Sequence, residues 1–177
     1  MPDLPGDPEL VEAYLDGDEQ SAAELVRRHS AAIGRFLYSA GAPLEDIDDL
    51  VQESLFRAFR ALAGWRRTAS FRSWLFTIAG NLLRDEFRRR KGRILIPLDD
   101  RDHATPADPA SELVAAEAEE RVRQGIARLP RLQREVFLLR AQEGAAYEDI
   151  AAALGTTPGA ARVHYHHAVR RLKELVR

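Results

Sequence analysis

Three stretches of this chain carry polar side chains at spacings suited to gripping another molecule. Between residues 158 and 176, a step of 100° per residue puts Ala161, Tyr165, Ala168, Leu172 and Val176 on one apolar face. Arg162, Val163, His166, Arg170 and Lys173 fall opposite, with His164, His167 and Arg171 on a flank. A short segment, Tyr147 to Leu154, precedes it and ends at Gly155, a residue suited to the position after a helix. The pair predicts a helix-turn-helix whose second helix enters a major groove. Gly159, Arg162, Val163 and His166 then face base edges, while Arg170, Arg171 and Lys173 meet phosphates. A basic surface helix of an ordinary bundle is the alternative. His164 and His167 stand three apart, but no carboxylate or cysteine joins them in sequence, so no metal site is expected.

In the stretch 71–90, Phe71, Leu75, Ile78 and Leu82 share the core face. The opposite stripe is Trp74, Thr77, Asn81, Arg84, Arg88 and Lys91. Cations hold phosphates, an amide reads a base edge, and an indole stacks on an unpaired base, so this row suits nucleic acid. The preceding loop adds Trp65, Arg66, Arg67 and the hydroxyls of Thr68 and Ser70, and could receive a base taken out of the stack. Against this, Trp65 and Trp74 could be core aromatics. In the stretch 44–62, Leu44, Ile47, Val51, Leu55, Ala58 and Leu62 make the core stripe, and Asp46, Asp49, Gln52, Glu53, Phe56 and Arg60 lie outward. An acidic surface repels DNA, so this face wants a protein, with Phe56 as an anchor. A solvated acidic face with one stray aromatic is the plainer reading.

The elements that must position these residues are helices. Start signals recur at Asp7-Pro8-Glu9, Asp18-Glu19, Pro43-Leu44-Glu45, Ser70 and Thr157-Pro158. Helices are predicted over 8–15, 19–39, 44–62, 71–90, 111–128, 131–142, 147–154 and 158–176. Gly92 to Ser111 breaks the pattern with Pro97, Pro106 and Pro109 and six charged residues. The expected fold is all-α: two small helical domains, over 8–91 and 112–177, joined by a flexible acidic linker at 92–111. Fully extended, that linker spans at most about 70 Å, roughly two turns of B-DNA at about 34–36 Å each.

Composition agrees. The chain has 177 residues, 45 % of them apolar, so a packed core is within reach. It has no cysteine, which removes disulfides and thiolate chemistry and suits a reducing cytoplasm. The start, MPDLPGDPEL, does not read as a signal peptide, and no apolar run is long enough for membrane insertion. The net charge of −2 hides a strong segregation. Residues 41–56 carry only acids, residues 65–93 carry nine cations against Asp85 and Glu86, and residues 94–120 carry eight acids against Arg101. Segregated charge implies separate surfaces for separate partners.

These blocks resemble a known family. Asp46-Ile47-Asp48-Asp49-Leu50-Val51-Gln52-Glu53-Ser54-Leu55-Phe56-Arg57-Ala58-Phe59-Arg60 is similar to the polymerase-binding signature of bacterial sigma factors. Phe71 to Asp85 resembles the segment that melts and reads the −10 element. Leu129-Pro130, Arg134 to Arg140, Tyr147 to Ala151 and Leu154-Gly155 resemble the domain that reads the −35 element. The resemblance runs from about Pro8 to Arg177 and includes domains two and four but not three, as in the small extracytoplasmic-function (ECF) class.

The resemblance implies that Asp46, Asp49, Leu50, Gln52, Glu53 and Arg57 bind the RNA polymerase core at its β′ clamp helices, beside Phe56, the anchor that its outward position suggests, with a β-flap contact a further expectation. It assigns Trp74, Asn81, Arg84, Asp85 and Arg88 to the −10 element, beside Trp65, Arg66, Thr77 and Lys91. It assigns Arg162, Val163, His166, Arg170 and Arg171 to the −35 element, beside Gly159, His164 and His167. Gly80 stands where the family usually has arginine, Val163 and His164 where serine and arginine are common, and Tyr165 where leucine is usual. Promoter DNA and an anti-sigma protein are the further partners expected, with a cytoplasmic chain that is monomeric when unbound, no cofactor and no enzymatic activity. A stand-alone helix-turn-helix regulator would explain residues 129–177 but leave the acidic and aromatic-basic helices without a role, and a protein-binding adaptor would show no DNA affinity.

Overall fold

The computed structural model of the chain describes residues 5–93 and 111–175, and the side chains of 5–90 and 117–174. The described residues are helical, with no strand among them. Helix α1 (Asp7–Leu15) has a proline in its first turn, where a missing N–H costs nothing. Helix α2 (Glu19–Ser39) starts at Asp18, whose carboxylate accepts from Gln20 N at 3.0 Å and from Ser21 Oγ at 2.6 Å. Leu25, Ile33, Phe36 and Leu37 recur at helical spacing and are wholly buried. A 3-10 turn (Leu44–Asp46) leads into α3 (Ile47–Ala61), and a second (Leu62–Gly64) leaves it. Helix α4 (Phe71–Arg93) completes the N-terminal unit, in which α2 packs against α1, α3 and α4.

The C-terminal unit holds α5 (Ser111–Ala127), α6 (Arg131–Ala141), α7 (Tyr147–Leu154) and α8 (Pro158–Leu175). Helix α8 packs against α5, α6 and α7 through Ala161, Ala168 and Leu172. Tyr165 stacks on Phe137 at 6.0 Å and meets Tyr147 edge-on at 6.3 Å. Val176 lies outside the described residues. The all-α expectation and the division into two helical units hold, and every predicted helix is found. Of the linker expected at 92–111, residues 94–110 lie outside the described residues. No described helix is long and apolar enough to cross a membrane.

The core departs from expectation on α3. Leu44, expected inside, is 74 % exposed. The chain is wound as a 3-10 turn there, three residues per turn, so its phase does not continue the α3 stripe. Leu50, Ser54, Leu55 and Ala58 are the buried side chains of α3. The stripe therefore centres between the expected row and the row i, i+4, i+8 beginning at Leu50. Helix α4 is buried on more than its expected face: Phe76, Ala79 and Leu83 are enclosed along with Phe71, Leu75 and Leu82. Phe76 meets Phe36 of α2 edge-on at 4.9 Å, and α6 and α7 of the other unit also pack against α4.

Candidate functional site

The acidic face lies on α3. Asp49, Gln52, Glu53 and the exposed ring of Phe56 line one shallow open depression. Glu53 accepts from Arg57 Nε at 2.7 Å, one turn on, and the Arg60 guanidinium lies 5.6 Å from the Phe56 ring centre. The apolar ring is thus rimmed by ionised groups, the pattern of an anchor with a polar rim. Two residues of the expected set stand elsewhere. Leu50 is buried, 6 % exposed, and supports the face from beneath. Asp46 is half-buried and ion-paired with Arg90 of α4, which ties the start of α3 to the far end of α4. Arg90 also bonds Glu86, and hydrogen bonding to Glu86, together with Asp46, holds the guanidinium pKa above its usual value.

The loop before α4 is closed by its own contacts. Trp65 is half-buried, its indole N–H donates to the Ala69 carbonyl at 3.2 Å, and its ring meets Phe71 edge-on at 5.6 Å. Arg67 takes φ 58°, pairs with Glu12 at 2.7 Å and lies over the Trp65 ring. The loop expected to receive an extruded base is thus held by contacts among the protein's own side chains. Trp74, expected to stand exposed, is half-buried against Phe71 and Trp65. Thr77 Oγ1 donates to the Ser73 carbonyl at 3.0 Å, and Asn81 Oδ1 accepts from Arg131 Nη2 at 3.3 Å. Arg84 is half-buried and its Nε has no hydrogen-bond partner. Arg66, Asp85 and Arg88 are exposed, with Arg88 4.0 Å from Asp85. The side chain of Lys91 lies outside the described residues.

The helix-turn-helix is built as its residues dictate. Gly155 takes φ 65° at the end of α7, the left-handed conformation that glycine adopts at no steric cost. Thr157 Oγ1 then accepts from Ala160 N at 3.1 Å and caps α8. Gly159, Arg162, Val163, His166, His167, Arg170 and Arg171 are all exposed along α8. Arg162 is steadied by the Tyr147 ring at 5.1 Å and by Glu148 at 3.5 Å. His164 is the exception. It is half-buried, with an enclosed Nδ1 that has no partner, and so does not share the exposed row. Among the described residues no group of three His, Cys, Asp or Glu is placed to hold a metal ion.

The sequence reading missed the contacts between the two units. Asp149 of α7 accepts from Ser70 N at 2.5 Å, from Ser70 Oγ at 2.7 Å and from Ser73 Oγ at 2.6 Å. Arg72 pairs with Glu143, whose side chain is 3 % exposed. Gln142 Nε2 donates to Ser39 Oγ at 2.5 Å. Ser70 was legible as a helix start, but nothing local in the sequence marks Asp149 as its partner.

Comparison with known proteins agrees with this architecture. A family model described as Sigma-70 region 2 matches residues 25–93, and one described as Sigma-70, region 4 matches residues 119–172. The RNA polymerase sigma factor NccH of Alcaligenes xylosoxydans xylosoxydans is 30 % identical over 181 residues, covering 99 % of this chain and 97 % of that one. The ECF RNA polymerase sigma factor SigM of Mycobacterium tuberculosis is 31 % identical, covering 96 % of this chain and 84 % of that one. Among solved structures, CnrH in complex with the cytosolic domain of CnrY superposes with a TM-score of 0.73 at 28 % identity, covering 96 % of each chain. Two family models matched in order along the chain, and relatives of 30–31 % identity matched over most of their own length, show that the chain belongs to the ECF class of the sigma-70 family.

Proposed function

We propose that this chain binds the RNA polymerase core, recognises −35 and −10 promoter elements and promotes DNA melting at the start of transcription. The observation that carries this reading is the pair of exposed faces of opposite character, on α3 and on α8. The α3 face, Asp49, Gln52, Glu53 and Phe56, has the charge to avoid DNA and an apolar anchor for a protein. The α8 face, Arg162, His166, His167, Arg170 and Arg171, has the charge and helical geometry for a major groove. Between them, α4 supplies Trp74, Thr77, Asn81, Arg84 and Arg88 for the unpaired strand, where stacking and phosphate contacts offset the cost of unstacking. The work is binding rather than covalent chemistry, and its setting is the cytoplasm. A regulatory partner of the anti-sigma kind belongs to the same reading, since CnrH has been solved with the cytosolic domain of a second protein.

The test is run-off transcription with purified core polymerase on templates selected from a genomic promoter library. Wild type is expected to yield promoter-specific transcripts. Asp49→Arg plus Glu53→Arg abolishes them by loss of polymerase binding, and Arg84→Ala plus Arg88→Ala abolishes them with polymerase binding intact. Absence of any transcript, together with tight binding of the chain alone to a palindromic duplex, identifies a stand-alone regulator instead.

A further inference from the structure

We propose that the C-terminal unit is a built-in cover on the −10 face of α4, held shut by carboxylates that occupy places a DNA strand needs. The proposal rests on the reading of α4 as the −10 helix. The contacts run along successive turns of one side of that helix. At its first turn, one carboxylate of α7, Asp149, takes three donors: Ser70 N, Ser70 Oγ and Ser73 Oγ, at 2.5–2.7 Å. Beside it Glu143 pairs with Arg72. One turn on, Thr77 Oγ1 lies 3.4 Å from the Ala153 carbonyl. Further along, Asn81 bonds Arg131, and Arg131 Nε also bonds Glu135 at 2.9 Å.

Gly80 explains why α6 can come so close. A Cβ built there would sit 3.5 Å from Glu135 Oε1 and 3.7 Å from the Phe36 ring, so anything longer than a methyl meets Glu135. Glu135 is 6 % exposed, with one oxygen lacking a partner. The covering surface brings three carboxylates to α4, Asp149, Glu143 and Glu135, with Arg131 on Asn81; the carboxylates match in sign the phosphates they exclude. The α8 row, in contrast, is open to solvent in the same conformation. The closed chain can meet a duplex through α8 while Thr77 and Asn81 stay occupied, so access to single-stranded DNA requires the units to part.

The experiment measures binding of the full chain to a labelled single-stranded AT-rich oligonucleotide without polymerase. Occlusion raises the apparent Kd by the inverse of the open fraction, so Asp149→Asn, and separately Glu143→Gln, should each tighten binding by at least about three-fold. Arg84→Ala plus Arg88→Ala should weaken binding in both the wild-type and the Asp149→Asn backgrounds. If these arginines matter but Asp149→Asn and Glu143→Gln change nothing, the cover is overturned and the sigma reading stands. If the arginine pair has no effect in either background, the assignment of α4 fails and the cover fails with it. A second measurement does not depend on the stability of either acid variant. The chain has no cysteine, so Ser39→Cys with Gln142→Cys can be bridged by a short bis-maleimide across the contact between the units. The bridged protein should lose affinity for the oligonucleotide while the unbridged double variant keeps it. Equal affinity in the two would overturn the occlusion.

Discussion

At the scale of single residues, the environment of a side chain decides more than its type. Phe56 and Leu50 are both apolar and belong to the same helix, yet one is 57 % exposed and the other 6 %. The family resemblance assigned Leu50 to the polymerase face and outward helical phase assigned Phe56, and of the two Phe56 is the one placed to touch a partner directly. Periodicity alone separates them, because Leu50 shares the row of the buried Ser54 and Ala58. Asp7 shows the same dependence. Burial pushes its carboxyl pKa up, but the hydrogen bond and charge of His29 and those of Arg28 outweigh this and hold it below its usual 3.8. His29 Nε2 lies 2.8 Å from its carboxylate, and this pair pins α1 to α2. A carboxyl whose folded pKa is depressed stabilises the fold above its unfolded pKa, and the contribution fades as pH falls through the folded value. Asp7→Asn should therefore lower the unfolding temperature at neutral pH. The gap to wild type should close as the pH falls below 3.8, measured by thermal unfolding followed by circular dichroism. A gap independent of pH would show that the Asp7 charge contributes nothing.

At the scale of elements, helix existence was legible and helix phase was less so. Start signals marked α1, α2, α3, α4 and α8, and Gly155 the end of α7, because residues such as Asp18, Ser70, Pro158 and Gly155 act within a few residues of where they stand. The error at Leu44 arose where an α stripe was extended through a 3-10 turn, whose three-residue period turns the side chain outward. The turn between α7 and α8 is the element on which the geometry of the helix-turn-helix depends. Gly155 holds φ 65° there, and a Cβ would meet no neighbouring atom, so the cost of a substitution is conformational only. Gly155→Ala should destabilise the chain by roughly 1–2 kcal/mol, the penalty of an L side chain in the left-handed region. Gly155→Asn should cost less, since asparagine tolerates that region. Equal unfolding free energies for the alanine variant and wild type would mean that the turn is not held in this conformation in solution.

At the scale of the whole molecule, what the sequence could not show is how the two units meet. Ser70 and Asp149 are 79 positions apart, and each is an ordinary surface type, so no local signal pairs them. Charge segregation was visible along the chain, and the structure turns it into faces: acids on α3 and a basic row on α8. These faces predict different responses to salt. Each phosphate neutralised by a cation on duplex DNA releases counterions, and log K falls against log salt with a slope of about −0.9 per contact. Arg170 and Arg171 are exposed and were assigned to phosphates, so Arg170→Ala plus Arg171→Ala should reduce the slope by about 1.8 for any duplex sequence. Asp49→Arg plus Glu53→Arg should not reduce it, because that face is built for a protein. The measurement is duplex affinity of the full chain across a range of salt concentrations. Because α8 is open even when α4 is covered, the effect should appear without polymerase. An unchanged slope in the arginine variant would remove Arg170 and Arg171 from the phosphate contacts and move the duplex footprint toward the start of α8, where Arg162 and His166 stand exposed.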